Sequence, residues 1–114
     1  MTWTDKQTDM KDALRSLNKA IPEVAQGFGQ LSKAVKTDGV LDIKTKELIA
    51  VAISVADRCE ACIGFHIEAL IRAGGTREEL SETLGMAVQM GGGPSLMYSA
   101  KALACFDEFT AAAD

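Results

Sequence analysis

A chain of 114 residues with 47% hydrophobic and 25% charged side chains has the size and balance of one globular domain, which excludes a disordered or fibrous protein. A net charge of −4 and a pI near 5.0 argue against nucleic acid or an anionic membrane as the main partner, because both require Lys and Arg clustered on one face. The longest apolar run, Leu48 to Ala56, is far short of the ~20 residues of a membrane span, and the polar N-terminal stretch lacks a signal-peptide pattern, so a cytoplasmic location is expected.

Met10, Ala13, Leu14 and Leu17 recur at helical spacing and predict a first helix from about Asp5 to Lys19. Ile21-Pro22 interrupts it, since proline disfavours helix at the preceding residue but suits a helix's first turn. A second helix carries Val24, Phe28, Leu31 and Val35 on one stripe and stops near Thr37-Asp38-Gly39. Asp42 or Thr45 can cap a third, whose segment Leu48 to Ile53 is apolar on nearly every side and so predicts cover all round. A fourth carries Ile63, Ile67, Leu70 and Ile71 before Gly74-Gly75 ends it. Thr76-Arg77-Glu78-Glu79 has capping-box spacing and opens a fifth, with Leu80, Leu84, Ala87 and Val88 inward.

Gly91-Gly92-Gly93-Pro94 breaks the fifth helix; because it follows a helix and not a strand, it reads as a hinge and not as an anion cradle. A sixth helix, roughly Ser95 to Ala111, is expected to turn Leu96, Ala100, Leu103 and Asp107 to one side, with Met97, Ala104 and Phe109 alongside. The β-branched run Val51 to Val55 is the one place where a strand competes, and its length and flanking residues favour helix. The chain therefore reads as an all-α domain of about six helices. Helices three and six need more apolar cover than the other helices supply, so association of copies through apolar faces is expected.

Two of the three cysteines and the single histidine lie within the eight residues Cys59 to His66. On a helix beginning at or just before Cys59, the residues Cys59, Cys62 and His66 share one stripe. Thiols in a helix's first turn can close a disulfide, and the helix dipole there favours the thiolate that attacks peroxides and disulfides. His66, one turn beyond Cys62, is placed to take its proton. Folding helices three and four back on each other across Asp57-Arg58 brings Glu47 beside residues 66 to 68, where its carboxylate can hold the imidazole.

Two other readings compete. Two thiolates, an imidazole and a carboxylate can complete a tetrahedral zinc site using Cys59, Cys62 and His66, although ligands spread over two turns of one stripe converge poorly on one ion. A non-catalytic oligomeric binding protein on the same helices would show ordinary thiol reactivity. Cys105 has no partner at useful spacing and reads as a buried thiol.

Glu47, eleven residues, then Cys59-x-x-Cys62-x-x-x-His66 resembles the signature of the alkylhydroperoxidase D-like (AhpD-like) proteins of the carboxymuconolactone decarboxylase superfamily. The segments from Lys44 to Ala52 and from His66 to Leu80 are similar to the same family, so the resemblance covers about residues 20 to 110 of a single domain spanning 1–114, with the N-terminal helix of 1–20 outside it. It implies an all-helical fold assembling into trimers or hexamers, no cofactor, and a thiol-dependent peroxidase or disulfide-reductase activity. By position it assigns Cys62 as the peroxidatic thiol, Cys59 as the resolving thiol, and His66 with Glu47 as the proton relay. It also implies a dithiol reductant, either a lipoyl-bearing or a thioredoxin-like protein. Superfamily members that decarboxylate a lactone generally lack the cysteine pair. One position departs from the pattern: Ala61 stands where the best characterised members carry a second histidine, which removes a proton-handling group and leaves the substrate open.

Overall fold

Four of the six helices among the described residues start where a side chain accepts a hydrogen bond from a free N–H of the first turn, an arrangement that stabilises by about 1 kcal/mol when the acceptor is an oxygen. In the computed structural model, which describes residues 1–113, Thr2 caps α1 (Trp3–Ala20) and Asp42 caps α3 (Ile43–Ala56). Cys59 caps α4 (Glu60–Arg72) and Thr76 caps α5 (Arg77–Gly91). Pro22 opens α2 (Pro22–Val35) without a side-chain cap, its missing N–H being one that a first turn leaves free in any case. α6 (Gly93–Ala113) follows the glycine turn, where Gly92 takes a positive φ of 71°. No strand occurs among the described residues, and Val51 to Val55 is helical. Among the described residues no helix is long and apolar enough to cross a membrane.

α3 runs through the middle of the fold and packs on α4, α5 and α6, while α6 also packs on α4 and α5. Val51 and Val55 of α3, Ile63, Ile67 and Leu70 of α4 and Leu80 of α5 are fully buried, each worth about 1.5–3 kcal/mol relative to exposure. α1 lies over α4 and α6. Its first N–H groups, those of Trp3 and Thr4, donate to the two carboxylate oxygens of Glu108 at 3.0 and 3.1 Å, and these bonds hold the Glu108 carboxyl below its ordinary range. Lys6 and Lys101 both reach Glu60, at 3.0 and 2.8 Å, so α1 and α6 meet at the start of α4.

Two expectations from the sequence need correction. The α6 stripe is rotated: Ser95, Ser99, Ala102, Cys105 and Phe106 are buried, whereas Leu96, Met97, Ala100, Ala104 and Asp107 are exposed. α6 is apolar around much of its girth, so periodicity did not choose a face; the buried side is the one that carries the small side chains of Ser95, Ser99 and Ala102. Within one chain Ile49 and Ile53 of α3 remain about half exposed, the shortfall of apolar cover that the sequence leads one to expect. In α5, Leu80, Leu84 and Ala87 are inward as expected, but Val88 is only partly buried.

α2 is the outlier. It has no buried residue, its backbone comes close only to α1 among the helices, and its stripe of Val24, Phe28, Leu31 and Val35 is between 52% and 69% exposed.

One close contact fixes α1 on α4. Gln7 is only 4% exposed, and its side-chain amide lies where a Cβ on Gly64 would stand. Gly64→Ala is therefore expected to destabilise the protein, because an overpacking cost of about 1–3 kcal/mol outweighs a helix-propensity gain of about 1 kcal/mol. In a Gln7→Ala background the same substitution is expected to raise stability by up to about 1 kcal/mol. Urea unfolding of the two single variants and the double variant measures both signs, and a Gly64→Ala effect of the same sign in both backgrounds contradicts the contact.

Candidate active site

The site is built by the tight reversal between α3 and α4. After Ala56 the chain turns through Asp57, whose N–H donates to the Ile53 carbonyl at 2.8 Å, and Arg58, which adopts a left-handed φ of 56°. A non-glycine residue in that region carries a steric penalty of about 1–2 kcal/mol, accepted here so that the Cys59 N–H can return to the Ser54 carbonyl at 3.0 Å. The reversal lays α4 back along α3.

Its consequence is the contact that hairpin arithmetic anticipates: His66 Nδ1 lies 2.8 Å from Glu47 Oε2. Glu47 is 3% exposed, and a buried carboxylate needs partners for both oxygens. Oε2 has the imidazole, and Oε1 has Lys36 Nζ at 3.5 Å. A carboxylate only accepts, so Nδ1 carries the ring hydrogen, and in the neutral ring Nε2 is left as the base.

Cys59 and Cys62 form a disulfide, with Cα atoms 5.2 Å apart. The Cys59 sulfur is also the N-cap of α4, accepting from the Cys62 N–H at 3.2 Å. Both sulfurs therefore sit at the positive end of the helix dipole, where a thiolate released by reduction is favoured. A cavity of about 280 Å³ is lined by both cysteines and His66, with Ile53, Ser54 and Asp57 from the α3 side. His66 also lines a second cavity, of about 210 Å³, together with Glu47 and the α2 residues Phe28, Leu31 and Val35. The imidazole thus stands between the disulfide on one side and an apolar groove under α2 on the other.

All four residues expected at the site meet here. Ala61 does not: it lines a separate cavity with Lys6, Gln7 and Met10 of α1. Cys105 is buried in α6 and free. Among the described residues no three His, Cys, Asp or Glu side chains are grouped to hold a metal ion, and the zinc reading gains no geometric support. Sequence reasoning missed Lys36, because no periodic or spacing signal links the end of α2 to the second turn of α3.

The fold has counterparts. The family model described as "Carboxymuconolactone decarboxylase family" matches residues 22–104, leaving α1 outside it. The chain is 41% identical over 111 residues to an uncharacterized protein of Cupriavidus necator, covering 91% of this chain and 98% of that one. It is 38% identical over 100 residues to uncharacterized protein 4 of the cox locus of Paracoccus denitrificans, covering 88% and 90%. Among solved structures, an apo carboxymuconolactone decarboxylase family protein from Legionella pneumophila superposes with a TM-score of 0.91 at 53% identity, over 94% of this chain and 96% of that one. A family protein from Thermotoga maritima, for which involvement in an antioxidative response is a stated possibility, does so with a TM-score of 0.78 at 30% identity, over 90% of both chains. With its helices, its paired cysteines and these relatives in agreement, the chain belongs to the carboxymuconolactone decarboxylase family.

Proposed function

We propose that the protein is a thiol-dependent oxidoreductase of the AhpD-like kind, cycling Cys59 and Cys62 between dithiol and disulfide at the expense of a peroxide or a disulfide substrate. The observation that carries this reading is the 2.8 Å contact of His66 with buried Glu47, beside a cavity shared by His66 and both sulfurs. Structural cysteines need no such neighbour, whereas a nucleophilic thiol needs a base held in one tautomer. The possibility stated for the Thermotoga maritima protein, an antioxidative response, is of the same kind.

In the reduced protein, His66 Nε2 takes the Cys62 proton while Glu47 holds Nδ1–H, so the imidazolium forms against a carboxylate already in place. The Cys62 thiolate attacks the distal oxygen of a hydroperoxide. The O–O bond breaks, Cys62 becomes a sulfenic acid, and the alkoxide leaves as the alcohol with the proton returned by His66. Cys59 then attacks the Cys62 sulfur and gives its thiol proton to the leaving sulfenic oxygen, forming the disulfide and releasing water. A dithiol reductant, lipoyl-bearing or thioredoxin-like, restores both thiols and becomes a disulfide itself. With a disulfide substrate, the Cys62 thiolate attacks sulfur instead, and Cys59 resolves the mixed disulfide.

The apolar side chains left exposed on α2, α3, α5 and α6, among them Phe28, Ile53, Met90 and Met97, support a homo-oligomer, trimeric or hexameric, in which copies cover one another's apolar faces.

Cys62→Ser is expected to abolish peroxide-dependent oxidation of a small dithiol. Cys59→Ser is expected to consume about one equivalent of peroxide and stop, with a dimedone-reactive sulfenic acid on Cys62 seen by mass spectrometry. Sustained turnover in Cys62→Ser contradicts the assignment.

Cys105 stands apart on physical grounds. Burial first, then the Glu108 and Glu68 carboxylates, push its thiol up to about 12, so it is protonated and unreactive throughout the neutral range. Iodoacetamide at pH 8 is expected to label Cys59 and Cys62 in the reduced native protein, and Cys105 only after unfolding. Rapid native labelling of Cys105 contradicts its isolation.

A further inference from the structure

An isolated helix of up to about 12–15 residues is marginal in water even with strong helix formers. α2 has 14 residues, and its internal glycines, Gly27 and Gly29, weaken it further. A helix of this kind holds because an apolar face packs, yet α2 has no buried residue. It is held by α1 and by Lys46, whose Nζ donates to the Val35 carbonyl at 2.9 Å and the Thr37 carbonyl at 2.7 Å. Its apolar stripe of Val24, Phe28, Leu31 and Val35 stays open to solvent.

The stripe has the form of a seam. Its residues lie four, three and four apart, the spacing of one α-helix packed along another. Gly27 flanks the stripe, and a Cβ there would meet nothing in this chain, which leaves room for a second backbone to come close. The whole chain is short of cover by a comparable measure. A folded monomer of 12.1 kDa is expected to expose about 6,000 Å², whereas this chain exposes 7195 Å². The excess, about 1,200 Å², is more than the ~800 Å² that each partner gives to a standard protein–protein interface. A second copy of the chain is the occupant that answers both shortfalls.

The same stripe reaches the site. Phe28, Leu31 and Val35 line the groove of about 210 Å³ together with Ala50, Glu47 and His66. We propose that a second copy lays a helix along the α2 stripe and closes this groove, so that the His66 side of the site is walled by two copies. This rests on the reading of His66 as the base of the thiol chemistry, and it goes beyond a homo-oligomer as such by placing one interface at the site. In the single chain the groove stands open, and α2 is free to fray, taking three lining residues with it. In the assembled protein the stripe is buried and α2 is held along its length. Water then reaches His66 only through the cavity it shares with Cys59 and Cys62. Order on the α2 side of the site thus follows assembly by mass action.

Phe28→Glu tests this with little disturbance to the single chain, where Phe28 is 69% exposed. Val40→Glu, at a fully exposed position between α2 and α3, controls for the added charge. In analytical ultracentrifugation, wild type and Val40→Glu are expected to sediment as multiples of 12.1 kDa, and Phe28→Glu as a smaller species. Hydrogen exchange of the α2 amides is expected to be at least about tenfold faster in Phe28→Glu, the effect of uncovering one large apolar side chain. Carbethoxylation of the single histidine by diethylpyrocarbonate is expected to quicken with it. Leu31→Lys is read by the same three measurements and decides the matter if Phe28→Glu does not fold. A wild type that sediments as one chain, an unchanged mass in the α2 variants, or α2 amides that exchange equally fast with and without the substitution overturns the proposal. So does equal carbethoxylation of His66, which would place the interface away from the groove. A wild type that assembles and protects α2 and His66, yet never turns over a peroxide or a disulfide, counts against the oxidoreductase reading alone.

Discussion

A carboxylate buried between two helices is the constraint around which this fold is arranged. Left unpaired, the charge of Glu47 would cost several kcal/mol, so the structure has to deliver a partner to each oxygen. The tight α3–α4 reversal delivers His66 to one, and the pinned end of α2 delivers Lys36 to the other. The strained Arg58 and the Lys46 bridge make sense as supports for this arrangement. Neither contributes much to the apolar core, yet together they determine what surrounds a single acid.

The same arrangement explains how the disulfide is placed. Cys59 ends the reversal and caps α4, so the residue that closes the hairpin also holds one sulfur at the helix N-terminus. Cys62 follows in the first turn, and His66 one turn later on the same face. Local backbone geometry thus sets the spacing of three side chains, and the hairpin adds the fourth from α3. An apolar core fixes the register: fully buried Ile63, Ile67 and Leu70 on α4 leave little freedom for α4 to rotate or slide against α3.

Ala61 takes on a different meaning once α1 is in view. The resemblance marks it as a missing histidine beside the second cysteine. In the fold its surroundings are Lys6, Gln7 and Met10 of α1, and α1 lies outside the matched family region of residues 22–104. The N-terminal helix therefore covers the position where a second proton-handling group would stand. It is locked there by Gln7 on Gly64, by the Glu108 cap and by Lys6 on Glu60. A short side chain at position 61 suits that cover.

Helix content, the caps of α3 and α5, the inward faces of α4 and α5 and the grouping of Cys59, Cys62 and His66 were all legible in the sequence, because each depends on residues within about two turns of one another. Even the Glu47 contact was accessible, since a short antiparallel connection makes long-range pairing a matter of counting. The face of α6 was not legible: with apolar residues around much of the helix, periodicity singles out no side, and the side that is buried carries two serines, Ser95 and Ser99. Nor was the exposure of the α2 stripe, because an apolar stripe declares that it can be buried and not what lies opposite. Lys36 is the clearest case of what only tertiary structure decided. A surface lysine at a helix end has no distinguishing pattern, and its contact with a buried acid eleven residues away appears only once the fold brings Lys46 against the main chain on both sides of it.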